Sequence, residues 1–268
     1  MVLPIGDVNP TSRRAFVMGI IALANVAVFG LLQWPLTGCD QLVFIYQWSV
    51  IPREVLTMSP LEPAELGQLL GECAAAVDGK NVPLSLVTAM FLHGGIGHLL
   101  GNLIFLVVFG NNVEDRLGHT RFVVFYLVGG AAATLAFAAV RPGSTMPMVG
   151  ASGAIAAVLG AYLVCFPRAR VLAVVPFPLY LLAIILPRTR IVSFWIVLAI
   201  VAVPAWLVLS LWFVMQYLAA TEPVTDQVAY EAHIGGFVAG IVLLLLLDRR
   251  RQRHGQQTFH PVRERRRR

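Results

Sequence analysis

Long runs of apolar residues, each bounded by charged residues, constrain the fold of this chain more than any other feature. Seven such runs occupy 15–34, 89–113, 122–140, 148–166, 171–186, 191–221 and 232–247. A helix needs about 20 apolar residues to cross the ~30 Å hydrocarbon core of a bilayer. Only 13% of the 268 residues are charged, whereas a soluble domain carries about a quarter. The runs therefore predict a helical bundle that lipid, rather than water, solvates.

The run 171–186 differs from the other six because it is short and contains Pro176 and Pro178. Proline removes a backbone N–H and breaks a helix, and lipid offers the freed groups no other partner. Arginine pairs flank the run on both sides, so a crossing would place one pair outside, against the positive-inside rule. We therefore predict that 171–190 lies at the cytoplasmic membrane surface or re-enters from it, and that the other runs form six transmembrane helices.

Six spans predict an all-α membrane protein with both termini in the cytoplasm, located in the cell (inner) membrane. Residues 1–14 then form the cytoplasmic N-terminus and 15–247 the six-span domain, with the polar loop 35–87 outside. No cleavable signal peptide is evident. The basic tail 248–268 directly follows an apolar run, so we interpret it as a topology anchor near anionic lipid rather than as a nucleic-acid-binding segment.

The three cysteines show no CxxC motif and no zinc-ligand spacing. Cys39 and Cys73 flank the outer loop, where they could form a disulfide, and two unpaired thiols fit the sequence equally well. We find no phosphate loop, metal-ligand set or nucleotide fingerprint. The sequence therefore predicts no cofactor and no metal.

Four polar side chains fall at a similar depth, in the outer halves of three predicted spans. His98 and Asn102 lie in the second span, Ser152 in the fourth and His233 in the sixth. Polar groups in a membrane are costly and tend to face the bundle interior or a wet cavity. Taken singly, each has a structural explanation as an interhelical hydrogen bond or a packing face. Their shared depth favours one common site.

Small residues predict how the fourth and sixth spans pack. They flank Ser152 in the fourth span and begin one helical turn after His233 in the sixth. Such faces let helix backbones approach closely, and their contact would bring the imidazole to the hydroxyl. The glycines assigned to this packing are Gly150, Gly153, Gly236 and Gly240.

A serine acts as a nucleophile near neutral pH only when a base takes its proton. His233 can accept that proton and return it to a leaving amine. Glu231 is two residues away and points elsewhere on a helix, so we predict a catalytic dyad of Ser152 and His233. His98 and Asn102, four residues apart on one face, are candidate oxyanion donors, and such donors contribute about 3 kcal/mol each.

With these residues in this order, the sequence resembles the rhomboid family of intramembrane serine proteases, in its bacterial form. The resemblance covers about 15–247 and is carried by the segments 91–102, 150–153 and 232–236. It implies a six-helix bundle with a Ser–His dyad in a water-filled cavity open to the outside, and a lateral gate at the fifth span. It also implies that membrane-tethered proteins are the substrates, and that His98 and Asn102 are the oxyanion donors.

The sequence departs from the family in three places. A Trp-Arg pair found in some members before the second span is absent. The tyrosine that in some members follows the serine by four residues and stacks on the histidine is Ala156 here, so His233 must be held in another way. The stretch 171–203 is also longer than usual.

Two other functions remain as alternatives. An inactive rhomboid-like protein would bind clients and steer their trafficking or degradation, but the intact Ser152 and His233 argue against it. A transporter or channel is weakened because no internal repeat is visible. We expect the bilayer and single-span membrane proteins as partners, with no nucleic acid, and the sequence carries no signal for an oligomeric state.

Overall fold

The computed structural model describes residues 3–177, 197–221 and 228–248, and most of these lie in helices. In chain order the elements are β1 (Leu3–Asp7), α1 (Phe16–Ala27, continued as a π-helix over Val28–Gln33), α2 (Gly38–Trp48), α3 (Pro52–Thr57), α4 (Pro63–Leu70), α5 (Val82–Thr88), α6 (Ile96–Leu117), α7 (His119–Val140), α8 (Ser152–Cys165), β2 (Arg170–Phe177), β3 (Val197–Pro204), α9 (Ala205–Thr221) and α10 (Tyr230–Leu247).

Four helical segments in the described part of the chain are long and apolar enough to cross a membrane: Phe16–Gln33, α6, α7 and α10. The apolar helices α8 and α9 are shorter, with 14 and 17 residues. Helix α8 packs against α6, α7, α9 and α10, and every residue from 154 to 162 is buried. A helix enclosed by its neighbours in this way does not have to match the thickness of the lipid.

A buried carboxylate joins the ends of three helices. Glu114, near the end of α6, is fully buried and accepts the backbone N–H groups of Val17 and Met18 at 3.1 and 2.7 Å. These donors belong to the first turn of α1, where a negative charge complements the helix dipole. Its other contact is His119 Nδ1 at 2.6 Å, in the first turn of α7. One side chain therefore aligns α1, α6 and α7.

A three-stranded antiparallel sheet, in the order β1-β2-β3, includes the first part of the region predicted to lie at the membrane surface or to re-enter, because β2 covers 171–177. Arg170 pairs with Pro204 at one end of the β2–β3 ladder. The all-α prediction missed this sheet, and the described part of the run 191–221, which was predicted as one span, is a strand over Val197–Pro204 followed by a helix over Ala205–Thr221. Short apolar runs rich in valine and isoleucine suit strands, and periodicity alone does not separate them from buried helices. The rest of the predicted surface segment, 178–190, lies outside the described residues.

The N-terminal strand is anchored to the helices by one carboxylate. Asp7, the last residue of β1, accepts hydrogen bonds from Asn112 Nδ2 at 2.8 Å and from Tyr162 Oη at 2.5 Å. These partners lie on α6 and α8. Burial raises the pKa of Asp7 above its usual value, although the Tyr162 hydrogen bond opposes the shift. The segment predicted only as a cytoplasmic terminus is thus part of the fold.

The segment 38–91, which we call the cap, folds beside one end of the bundle. Cys39 and Cys73 form a disulfide within it, which decides between the two alternatives that the sequence left open. The side chains of Lys80 and Glu54 are fully buried and pair at 2.6 Å, and Tyr46 donates its hydroxyl to Glu54 at 2.9 Å. The cap therefore has its own covalent and electrostatic supports.

Candidate active site

The loop 141–151, which leads into α8, is held by the cap. Val50 and Met148 form an antiparallel bridge, and the backbone N–H of Arg53 donates to Ser144 at 3.2 Å. The backbone N–H of Gly150 donates to the carbonyl of Ala89 at 2.8 Å. These contacts place the backbone immediately before Ser152, which begins α8.

Gly150 brings two of the predicted polar residues to this backbone. Its φ of +119° lies in a region that side chains rarely adopt. A Cβ built on it would stand 2.8 Å from the His98 ring and 3.5 Å from Asn102 Nδ2. Only glycine permits this approach, and the result is that His98 and Asn102 lie against the residue two positions before Ser152.

Both of these side chains present an N–H donor. Asn102 is 8% exposed, and its Nδ2 has no hydrogen-bond partner among the described residues. A buried donor left unpaired costs about 1–3 kcal/mol. The backbone N–H of Gly94 donates to Nδ1 of His98 at 3.4 Å, which leaves the ring proton on Nε2, the atom that faces Gly150.

The glycine faces of α8 and α10 meet at backbone contact. A Cβ on Gly236 would overlap the carbonyl oxygen of Gly153, and a Cβ on Gly240 would overlap the backbone of Ala157. Both contacts advance in the same direction along the two chains. The helices are therefore parallel, and equivalent turns lie side by side.

This parallel packing sets Ser152 and His233 at the same end of the bundle. Ser152 directly precedes Gly153, and His233 precedes Gly236 by one helical turn. Within the described residues, Ser152 and His233 share no direct hydrogen bond. Catalytic hydrogen bonds are often long without substrate and tighten when it binds.

A comparison with known protein families identifies the family to which a chain with these four polar residues belongs. The model of the Rhomboid domain family matches residues 80–250, which include all four polar residues and both glycine faces. The chain belongs to the rhomboid family. The relationship inferred from the three sequence segments is thereby confirmed. With its apolar helices, this rhomboid is a multi-pass membrane protein.

Several curated rhomboid proteins are similar to this chain. RHOMBOID-like protein 6, mitochondrial, of Arabidopsis thaliana is 29% identical over 164 residues, which are 57% of this chain and 52% of that protein. Rhomboid protease GluP of Bacillus subtilis (strain 168) is 41% identical over 78 residues, 29% of this chain and 15% of that protein. Rhomboid protein 1, mitochondrial, of Saccharomyces cerevisiae is 27% identical over 152 residues, 55% and 36%. The chain thus spans about half the length of these relatives, or less.

In this rhomboid, the acidic residue nearest to His233 in the sequence is Glu231, and its side chain pairs with a residue other than His233. Glu231 pairs with Arg141, and its Oε1 lies 2.7 Å from the guanidinium Nη2. This pair joins the ends of α7 and α10. The carboxylate is therefore committed to an ion pair rather than to the imidazole.

Two residues near His233 were missed in the sequence. Gln216 Oε1 lies 2.7 Å from His233 Nδ1, and the Trp212 ring lies 6.0 Å from the imidazole, centroid to centroid. They stand four residues apart on one face of α9. The signal available in the sequence was an amide within a mainly apolar helix, but the sequence did not show which span this face of the helix would contact.

The described residues contain no group of three or more His, Cys, Asp and Glu side chains that could hold a metal ion. The site is instead built from a hydroxyl, two imidazoles and two amides. Such a set supplies a nucleophile, a proton acceptor and neutral hydrogen-bond donors.

Proposed function

We propose that this protein is an intramembrane serine endopeptidase that cleaves transmembrane segments through an acyl-enzyme intermediate. The observation that carries the proposal is the parallel packing of α8 on α10, in which Gly153, the residue after Ser152, meets Gly236, one helical turn after His233. His98 and Asn102 lie next to the backbone of Gly150, two residues before Ser152. The activities named for related rhomboids support this function, and the residue roles are our own assignment.

The proposed reaction begins when His233 takes the proton of the Ser152 hydroxyl. The Oγ atom bonds to the scissile carbonyl carbon, and the oxyanion that forms accepts hydrogen bonds from Asn102 Nδ2 and His98 Nε2. Collapse of this intermediate breaks the C–N bond, and His233 passes its proton to the leaving amine. Water, activated by the same imidazole, then hydrolyses the ester and restores Ser152.

The depth of the site supports a substrate within the membrane. Gly150, two residues before Ser152, stands beside Asn102, which lies six residues into α6. At 1.5 Å per residue this is about 9 Å below the start of that helix. In a transmembrane helix, the backbone carbonyl groups are hydrogen-bonded within the helix. A substrate segment must therefore unwind locally before its scissile carbonyl can reach a site at this depth. We therefore propose single-span substrates with helix-weakening residues near the outer membrane boundary.

We propose six spans, formed by Phe16–Gln33 and by α6 to α10, with both termini in the cytoplasm and the cap outside. The four long apolar segments support most of this count, and the enclosed α8 and the apolar α9 complete it. The basic tail 248–268 would then anchor the cytoplasmic side of the cell (inner) membrane.

The test is cleavage of a single-span model substrate in detergent, together with labelling by a fluorophosphonate. Wild type should cleave and label, whereas Ser152→Ala and His233→Ala should do neither. Ser210→Ala, an exposed serine on α9, is the matched control and should behave as wild type. Equal product from wild type and Ser152→Ala would overturn the proposal. Substrate binding without cleavage or labelling in wild type would instead indicate an inactive client-binding rhomboid.

A further inference from the structure

We infer that Gln216 is a positioning residue that sets the proton location and the orientation of the His233 imidazole. The inference rests on the proposed function and extends it to a helix, α9, to which the dyad hypothesis assigned no role. It answers the question raised by Ala156, which leaves the histidine without an aromatic support from α8.

The contact defines which nitrogen carries the proton. Oε1 of Gln216 lies 2.7 Å from His233 Nδ1, and an amide oxygen only accepts hydrogen bonds. Nδ1 must therefore be the donor in the neutral ring. The lone pair then belongs to Nε2, which is the nitrogen free to accept a proton from the Ser152 hydroxyl.

The setting of Gln216 makes this contact persistent. Gln216 is 7% exposed and lies in a helix of mainly apolar residues. A buried amide without a hydrogen bond costs about 1–3 kcal/mol, so the pairing with His233 satisfies both side chains.

An aromatic ring on the same face of α9 packs beside the imidazole. The ring of Trp212, one helical turn before Gln216, lies 6.0 Å from the His233 ring at an interplanar angle of 34°. It is also stacked on Phe237 at 6.1 Å. Ala156, buried on α8, offers only a methyl group. The imidazole is thus supported from α9 by a hydrogen bond and by a ring.

The test compares Gln216→Met with Gln216→Glu. Methionine preserves the volume and removes the acceptor, and we expect kcat to fall on the order of 100-fold with little change in KM. Glutamate keeps an acceptor, so kcat should largely recover. The acid limb of the kcat/KM profile should move to higher pH, because a carboxylate stabilises the imidazolium. Among the described residues, the titratable groups recorded near the ring are His98 and Tyr230, and both are unchanged in the two variants.

Leu218→Met is the matched control, because Leu218 is 57% exposed on the same helix and should retain wild-type kinetics. A wild-type kcat and pH profile in Gln216→Met, with Ser152→Ala inactive, would overturn this inference and leave the proposed function intact. Equal loss of kcat and thermal stability in Gln216→Met and Gln216→Glu would also overturn it, because that is the pattern of a purely structural residue. Wild-type cleavage by Ser152→Ala would overturn the proposed function, and this inference with it.

Discussion

Gly236 of α10 rests on the carbonyl oxygen of Gly153 in α8, and no side chain fits between them. Because Ser152 and His233 lie within one turn of this contact, the spacing of the two helices sets the spacing of the proposed dyad. A change at the contact therefore acts on stability and chemistry together.

We expect Gly236→Ala to force the two helices apart. Overpacking of this kind lowers the free energy of unfolding by about 1–3 kcal/mol. A displacement of 1 Å at the dyad lowers the rate of catalysis on the order of 100-fold. Thermal unfolding and substrate cleavage in detergent measure both effects. Gly19→Ala is the matched control, because nothing lies within 4 Å of its Cβ position. Wild-type stability and activity in Gly236→Ala would show that α8 and α10 do not meet as described.

Asn102→Leu should lower activity without lowering stability. Loss of one oxyanion donor reduces kcat by about 100- to 1000-fold. The Nδ2 atom of Asn102 is buried and unpaired within the described residues, so its removal relieves a cost and should leave the melting temperature equal or higher. Parallel losses of kcat and melting temperature would instead indicate that Asn102 is an interhelical structural bond.

The buried pair of Lys80 and Glu54 should dominate the stability of the cap. Burial lowers the pKa of Lys80, and Glu54 opposes this shift. Lys80→Met would leave a buried carboxylate without its cation, which costs about 3–5 kcal/mol. The double variant with Glu54→Gln should recover most of this loss, as measured by thermal unfolding.

The control for this pair is an exposed one. Arg53 is 41% exposed and pairs with Glu65, so Arg53→Met should cost less than about 1 kcal/mol. A loss as large as that in Lys80→Met would contradict the distinction between buried and exposed pairs.

Asp7→Asn should stabilise the protein at neutral pH. The pKa of Asp7 is raised by burial, so between 3.8 and the raised value the folded state binds more protons than the unfolded state. The contribution of this group to stability is therefore greatest at acidic pH and is lost as pH rises through the folded pKa. Denaturant titrations at several pH values should show this slope in wild type and not in Asp7→Asn.

Asp40→Asn, at an exposed carboxyl in α2, is the control for the charge change and should keep the wild-type slope. If Asp7→Asn also keeps that slope, Asp7 is not the group responsible.

The membership of the chain in the rhomboid family was readable from local patterns, and the family match confirms it. The apolar runs, the glycine spacing and the order of Ser152 and His233 are all properties of short segments. A short segment carries such information because helix periodicity determines which of its residues share a face.

Other features depended on tertiary structure. The sheet formed by β1, β2 and β3 joins segments about 170 residues apart, and no local pattern specifies such a pairing. The disulfide of the cap was one of two alternatives that the sequence treated equally.

By itself, the sequence determined that the chain lies in a membrane, which residues can supply the chemistry, and which helix faces are smooth enough to pack. Only the tertiary structure decided that Gln216 and Trp212 lie beside His233. The physical reason is that a helix face is set by residues three and four apart, whereas its partner depends on how all the helices pack at once.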